Sequence, residues 1–413
     1  MNVFTLVSIV FLSIILSWAV YNALILFAGL RNKKKYSYVN VENLPKFSLI
    51  IPAKDEGSVI GRCLDSLLNV DYPKDKLEII VVNGNSKDNT QQICETFSER
   101  YQGIVKVICE KASKGKPAAL NRAFPYVTGD IIGVFDADSV PERAVLQKVA
   151  SYFQNQSIMA LQGSTSCINE SQNMLTRTAA MEDRGWFQGL LGGREKLKLF
   201  VPLTGSCQFV RRKILGELGG WDESSLAEDV EFSLRLTKKN YLVTFAPDIC
   251  SGQEAPSTIK TLFSQRTRWY RGYMEAAFKY GSLLERINKK TIDAEISLIG
   301  PFVMVICLAS YVNWGLSILF AAENSLPILS SFLVVALTSV TLISLGLAMV
   351  FFVRPIKLES IMWVPFVYLY WMFQMLIATW AFLQILLRRR RVWQKTEKLG
   401  SITVLDPREK GEV

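Results

Sequence analysis

Histidine does not occur anywhere in the 413 residues, and that one absence removes whole mechanisms. Without imidazole there is no Ser-His-Asp triad, no HExxH metalloprotease and no His-ligated zinc or haem. Any general base must be a carboxylate, lysine, tyrosine or cysteine. Any catalytic metal must be held chiefly by oxygen, which points to magnesium or manganese. The seven cysteines, at 63, 94, 109, 167, 207, 250 and 307, show no CxxC spacing. Neither a zinc ribbon nor a disulfide framework is indicated, and a reducing compartment fits. Internal repeats and low-complexity tracts are also missing.

Charge is missing too, but only in places. No acidic or basic side chain occurs from Met1 to Leu30, Ile296 to Ala322, Asn324 to Val353 or Ser360 to Leu387. Each stretch exceeds the ~20 apolar residues that cross a hydrocarbon core. The first lacks a basic n-region and a small-residue cleavage site, which favours a retained anchor over a signal peptide. Arg31, Lys33, Lys34 and Lys35 follow it directly and mark that membrane end as cytoplasmic. Net charge is +10, yet much of the excess sits at membrane borders, as in Arg31 to Lys35 and Arg388 to Arg391. Anionic headgroups account for such clusters without nucleic acid.

Seven regions follow from these borders: a membrane helix at 1–30, a cytosolic α/β domain at 31–255, amphipathic interface helices at 256–295, membrane helices at 296–322 and 324–353, a membrane or re-entrant helix at 360–387, and a basic tail at 388–413. Within the cytosolic domain, β-rich apolar runs (Phe47 to Ile51, Leu77 to Val82, Ile104 to Cys109, Ile131 to Phe135) alternate with amphipathic stretches. That alternation predicts a doubly wound, mostly parallel sheet. Ligands of such sheets bind beyond the strands' carboxyl ends. The polar clusters Pro52 to Glu56, Asn83 to Ser86 and Asp136-Ala137-Asp138 all fall there. The stretch Gly192 to Lys198 reads as an exposed loop. Beyond Pro256, aromatic residues interleaved with Lys and Arg toward Leu284 read as a helix in the membrane interface.

Three motifs can carry chemistry. Asp136 and Asp138 end an apolar strand, where two carboxylates with a diphosphate can hold magnesium or manganese; a polar turn would look the same. Glu228 and Asp229 open an amphipathic helix, where acids also serve the dipole, but a hydroxyl acceptor in a histidine-free protein needs a carboxylate base. Gln265 and Trp269 share one helical face beside Arg268; Arg can grip a diphosphate and Trp can stack on a sugar, and both also suit a membrane-surface helix. Lys116, in Lys114-Gly115-Lys116, offers a cation to phosphates or belongs to a solvated turn.

Taken together and in order, these motifs resemble the family 2 glycosyltransferases, in particular the membrane synthase branch of cellulose, chitin, hyaluronan and poly-N-acetylglucosamine synthases. The resemblance covers about Phe47 to Trp269. It implies a GT-A-type doubly wound sheet in a cytosolic domain flanked by transmembrane helices, and a hexosyltransferase that uses a nucleotide-diphosphate sugar, a UDP-sugar by the family's habit. By the DxD motif, Asp136 and Asp138 inherit the metal (Mg2+ or Mn2+) and nucleotide-sugar role, with Asp138 the direct ligand. By the TED motif, here Ala227-Glu228-Asp229, Asp229 is the base and Glu228 its catalytic neighbour. By QxxRW, Gln265, Arg268 and Trp269 hold the diphosphate and the acceptor.

Ala53, Asp55 and Glu56 match the early nucleotide-contact loop, Lys116 a lysine near the diphosphate, and Gly205, Ser206 and Cys207 the segment lining the acceptor. Two departures stand out: Asn83 replaces an aspartate that contacts the base, and Ala227 replaces threonine. The resemblance implies an inverting displacement that extends a polysaccharide, or alternatively the transfer of one sugar to a lipid-linked acceptor, with accessory export subunits admitted. A tail such as Trp393-Gln394-Lys395-Thr396 lies near the nucleotide in that branch, which favours an inside tail. Three full crossings after the cytosolic domain would instead place Arg388 to Arg391 outside.

Overall fold

The computed structural model describes residues 2–31, 43–280, 287–320, 325–352, 362–391 and 395–402. Lys33 to Lys35, Trp393, Gln394 and the end of the basic tail, 403–413, lie outside the described residues. The chain opens on a long apolar helix, α1 (Val3–Leu30), started by Asn2, whose side-chain oxygen accepts from Phe4 N at 3.1 Å.

The α/β pattern follows as β1 (Phe47–Ala53), α2 (Ile60–Leu68), β2 (Leu77–Asn83), α3 (Thr90–Arg100), β3 (Val105–Cys109), α4 (Lys116–Ala123), β4 (Ile131–Val134), the two-residue β5 (Val140–Pro141) and α5 (Val145–Phe153). The central strands are apolar at most positions, Ser48, Glu78 and Asn83 being the exceptions in β1 and β2, because helices cover both faces. Side chains alternate between two cores. Leu49, Ile51, Ile79 and Val81 pack with Ile60 and Leu64 of α2, whereas Ile50, Ile80, Val82 and Ile132 pack with Leu120 and Ala123 of α4.

The second half contains β6 (Ile158–Cys167), α6 (Met174–Arg184), α7 (Gly192–Leu197), β7 (Gln208–Arg211), α8 (Arg212–Glu217), α9 (Glu228–Lys238), β8 (Leu242–Gln253) and α10 (Ile259–Tyr280). One eight-stranded sheet results, in the order β3-β2-β1-β4-β7-β6-β8-β5. Strands β3, β2, β1 and β4 run parallel, as do β6 and β8. Strand β7 runs antiparallel to both its neighbours, and β5 pairs antiparallel with β8. The doubly wound, mostly parallel sheet expected from the sequence is present.

The stretch Gly192 to Lys198 is not an exposed loop. A π-helical segment (Gly185–Leu191) runs on into α7, and Gly192, Gly193 and Arg194 are buried. The glycines are there for close approach: a Cβ at Gly193 would lie 2.0 Å from Ile25 O, and one at Gly29 would lie 2.2 Å from Gly189 O. Helix α1 therefore seats its backbone directly on this segment. Arg194 pairs with Asp293 and donates to Tyr21 Oη at 2.9 Å, so its charge is satisfied inside.

Three more long apolar helices complete the chain: α11 (Lys289–Phe320), α12 (Ser325–Val350) and α13 (Val364–Leu386). With α1 they make four helices, among the described residues, long and apolar enough to cross a membrane. Ile15, Val303, Cys307, Val334 and Met375 join all four in one apolar cluster. Helix α13 also touches α6 and α10 along its length. The Arg177 guanidinium sits 4.7 Å from the Trp363 ring centroid just before its start. Tyr370 Oη donates to Glu182 at 2.7 Å in its middle, and Gln384 accepts from Arg271 at 3.3 Å near its end.

Candidate active site

The ends of β1 and β2 form one bonded rim. Gly84 N donates to Ala53 O at 2.8 Å, Asp55 N to Ser86 Oγ at 2.8 Å, and Lys87 N to Asp55 Oδ1 at 2.6 Å. Asp55 adopts a left-handed φ of 53°, which turns the chain sharply there. Glu56 N donates to Thr90 Oγ1 at 2.7 Å. Asn83 is fully buried: its Oδ1 accepts from Ser86 N and Ser86 Oγ, and its Nδ2 donates to Gln91. Its amide thus shapes the rim from beneath.

Beyond β4 the Asp136-Ala137-Asp138 turn faces this rim, and each carboxylate meets a lysine. Lys116, at the start of α4, places Nζ 2.5 Å from Asp136 Oδ1 and 2.8 Å from Gly205 O. The same ammonium lies 3.9 Å from Glu228 Oε1 at the start of α9. One lysine therefore spans the Asp136, Gly205 and Glu228 segments, which the sequence separates widely. Asp138, 3 % exposed, accepts from Glu254 N at 2.9 Å and pairs with Lys398 Nζ at 2.6 Å.

Gly205 has a φ of +83°, and a Cβ there would lie 3.1 Å from both Asp229 Oδ2 and Lys116 Nζ. The positive φ favours glycine, and a side chain there would crowd a carboxylate and an ammonium. Ser206 accepts from Asp136 N at 3.1 Å and bonds Ser139 Oγ at 3.0 Å, which fixes the turn. The Cys207 thiol points away, into the core beside Gly163.

Helix α10 closes the other side, packed so tightly that a Cβ on Gly272 would lie 2.7 Å from Ala227 Cβ. It carries Gln265, Arg268 and Trp269. Gln265 Oε1 and Thr204 Oγ1 are buried with no hydrogen-bond partner among the described residues. The Arg266 guanidinium sits 4.3 Å from the Trp269 ring centroid and pairs with Glu182 at 2.5 Å.

Electrostatics separate the acids. Burial pushes the Asp229 carboxyl up to about 7, with Glu228 adding to the rise and Lys116 and Arg268 opposing it. Burial also lifts Glu56 to about 8, against Lys395. For Asp138 burial acts upward, but the Lys398 ammonium outweighs it and holds the carboxyl below the usual range. Burial works against the charge on Lys116, yet Asp136 and Glu228 keep its ammonium above the usual lysine range.

The segment 395–402 is the part of the site the motifs did not deliver. Lys395 pairs with Glu56 at 3.3 Å, Ser58 Oγ donates to Lys398 O at 3.0 Å, and Arg62 donates to Gly400 O at 3.2 Å. Leu399 N donates to Glu254 Oε2 at 3.1 Å. The Trp393-Gln394-Lys395-Thr396 stretch was the one cue that the chain returns here. Gln253, which donates to Asp136 Oδ2 at 3.2 Å, had no signal of its own.

Among the described residues no group of three or more His, Cys, Asp or Glu is arranged to hold a metal ion by itself. A metal here would draw protein oxygen from Asp136 and Asp138 and the rest from phosphate and water, a set that fits magnesium or manganese. The mostly parallel sheet thus brings two acidic segments, Asp136 to Asp138 and Glu228 to Asp229, together beside one lysine. Residues 45–272, more than half of the chain, match the family described as Glycosyltransferase like family 2, and the chain belongs to that family.

It is 39% identical over 256 residues to "Probable glycosyltransferase YdaM" of Bacillus subtilis, covering 61% of each chain. It is 33% identical over 243 residues to a beta-monoglucosyldiacylglycerol synthase of Synechocystis, covering 57% of this chain and 49% of that one. The chain thus spans about half to three-fifths of the length of these curated relatives. Its fold is similar to that of mannosyltransferase PcManGT from Pyrobaculum calidifontis, solved in complex with GDP-Man and Mn2+. That match has a TM-score of 0.62 at 18% identity and covers 94% of this chain and 100% of that one.

Proposed function

We propose that this glycosyltransferase moves one sugar, with inversion, from a nucleotide-diphosphate sugar to a lipid acceptor at the membrane. The observation that carries the transfer is Lys116, whose ammonium contacts Asp136 and lies 3.9 Å from Glu228, next to Asp229. Donor chemistry and acceptor chemistry are thereby held side by side, which is what an in-line displacement requires. Asp229 takes the proton from the acceptor hydroxyl. Ala53, Asp55, Glu56 and Asn83 form the rim that receives the nucleotide. Gly205, Ser206 and Cys207 shape the floor with their backbone, and Gln265, Arg268 and Trp269 meet the diphosphate and the acceptor.

Asp136 and Asp138 would hold magnesium or manganese, which when bound offsets negative charge on the departing diphosphate. The resident lysines supply further positive charge to the same region. The beta-monoglucosyldiacylglycerol synthase among the relatives supports the lipid acceptor. A second reading, extension of a polysaccharide with or without export subunits, is favoured by Gln265, Arg268 and Trp269 in QxxRW spacing.

We also propose that the domain and the 395–402 segment share the cytosolic side. Contacts of α13 with α6 and α10 near both its ends support a re-entrant or interfacial course for it. The Arg388 to Arg391 run then obeys the positive-inside preference. Tag accessibility at Val413 in sealed cells tests this; a tag labelled only from outside would overturn it.

The assay is incubation of membranes with a panel of nucleotide sugars plus manganese or magnesium. Released nucleoside diphosphate is measured, and products are separated by thin-layer chromatography and by gel. A labelled lipid is expected, and a ladder on the gel would favour the polymer. Nucleotide release by no donor, or by the Asp229→Asn variant at the wild-type rate, would sink the transferase assignment.

A further inference from the structure

A cleft of about 520 Å3 that shares no lining residue with the donor site opens between α10 and the end of α13. Arg271, Glu275, Phe278 and Lys279 of α10 form one wall; Ile385, Arg388, Arg389 and Arg391 form the other. Five cations thus face a single carboxylate.

Three of the five are already committed. Arg271 is buried; its Nε donates to Glu275 at 2.9 Å, and its terminal nitrogens donate to Arg389 O at 2.7 Å and Arg390 O at 3.3 Å. It therefore ties the segment just beyond α13 to α10. Arg391 Nε pairs with the other Glu275 oxygen at 2.9 Å, and Lys279 pairs with Asp222. Arg388 and Arg389 have no acidic partner among the described residues. Arg388 takes a left-handed φ of 49°, which ends the helix and turns the arginine run back onto α10. The Arg389 guanidinium lies 5.5 Å from the Trp380 ring centroid.

The apolar side is equally defined. Phe278, Leu386 and Leu387, immediately beside these cations, are each more than half exposed. A group that fits has a phosphate for two guanidiniums, which bind its oxygens in forked geometry, and an apolar body for the leucine side. A quaternary ammonium head would find only Glu275, already doubly paired.

We propose that this cleft binds the phosphate of an anionic membrane lipid. The test uses the full chain in detergent, with bound lipid counted by native mass spectrometry. Phosphatidylglycerol, phosphatidylcholine and water-soluble glycerol 3-phosphate are added separately and in competition. Arg271 is left intact in the double variant Arg388→Gln, Arg389→Gln so that its hold on the backbone of residues 389 and 390 stands. Phosphatidylglycerol is expected to bind in preference to phosphatidylcholine. The double variant should weaken that binding at least about tenfold, since each basic residue near an anionic surface contributes on this scale. The charge-matched variant Arg212→Gln, Lys213→Gln, on an exposed part of the catalytic half, should leave it unchanged. Equal binding of phosphatidylcholine, an equal loss in the charge-matched variant, or displacement by glycerol 3-phosphate at matched concentration would each overturn the lipid site.

Discussion

The ammonium of Lys398 lies 2.6 Å from Oδ2 of Asp138, so a residue from the far end of the chain covers the carboxylate that the DxD motif marks for a metal. The lysine also donates to Glu254 O at 2.6 Å, and its backbone is held by Ser58. An ammonium and a divalent cation cannot both occupy the same face of one carboxylate. A metal held by Asp138 would therefore have to compete with Lys398.

Replacing Lys398 by Met is expected to tighten Mn2+ binding several-fold in the absence of donor, read as loss of the free-ion signal in electron paramagnetic resonance. Without metal the same variant leaves Asp138 buried and unpaired, so its melting temperature should fall and recover on adding Mn2+. Weaker Mn2+ binding would show that the lysine does not shield the site.

As the proposed base, Asp229 must be ionised to accept a proton. Its carboxyl is pushed up to about 7, so the active form is lost as pH falls through that value. Below it, kcat/KM should drop about tenfold per pH unit. Because Lys116 opposes the rise, Lys116→Met should move this acid limb to higher pH as well as lowering the rate. Asp229→Asn should cost about 10²–10⁴-fold in rate while nucleotide binding persists. A profile flat from pH 5 to 8 would exclude Asp229 as the base.

Glu182 accepts from Arg266 at 2.5 Å and from Tyr370 at 2.7 Å, joining α6, α10 and α13. Changing it to Ala strands the buried Arg266 charge. A loss of about 3–5 kcal/mol is expected, visible as a lower unfolding temperature in detergent. Glu182→Gln, which keeps an acceptor, should lose less. Equal stability of all three forms would mean that water reaches the pair.

Gly193→Val forces a side chain into the space where a Cβ already meets Ile25 O at 2.0 Å. Overpacking there should cost about 1–3 kcal/mol or more, with α1 displaced. Cysteine cross-linking between α1 and α7 should fall in parallel, and an unaltered yield would refute the contact.

Much of this arrangement was readable because strand ends announce themselves. Apolar runs such as Ile131 to Val134 stop abruptly at acids, and the parallel topology then dictates where those acids gather. Two features escaped. Gly192-Gly193 followed by alternating charges resembles a loop, since sequence does not reveal that the glycines serve a neighbouring backbone. Lys398 sits in a stretch without periodicity, so only tertiary contact gives it meaning. Helix α13 was ambiguous for a physical reason as well: a charge-free run suits lipid, but Tyr370, Gln374 and Gln384 within it already offered hydrogen bonds to another partner.

The seat of α1 on α7 reaches further than anchoring. Asp293 joins Arg194 and also accepts from Phe200 N at 3.0 Å, four residues ahead of Thr204 and the segment that floors the cleft. A sideways or vertical shift of α1 thus pulls on the floor through its backbone seat and the Tyr21, Arg194 and Asp293 side chains. Reconstitution in bilayers of graded acyl length is accordingly expected to change the Michaelis constant for the acceptor while that for the donor stays constant, making bilayer thickness a tuning variable of the enzyme.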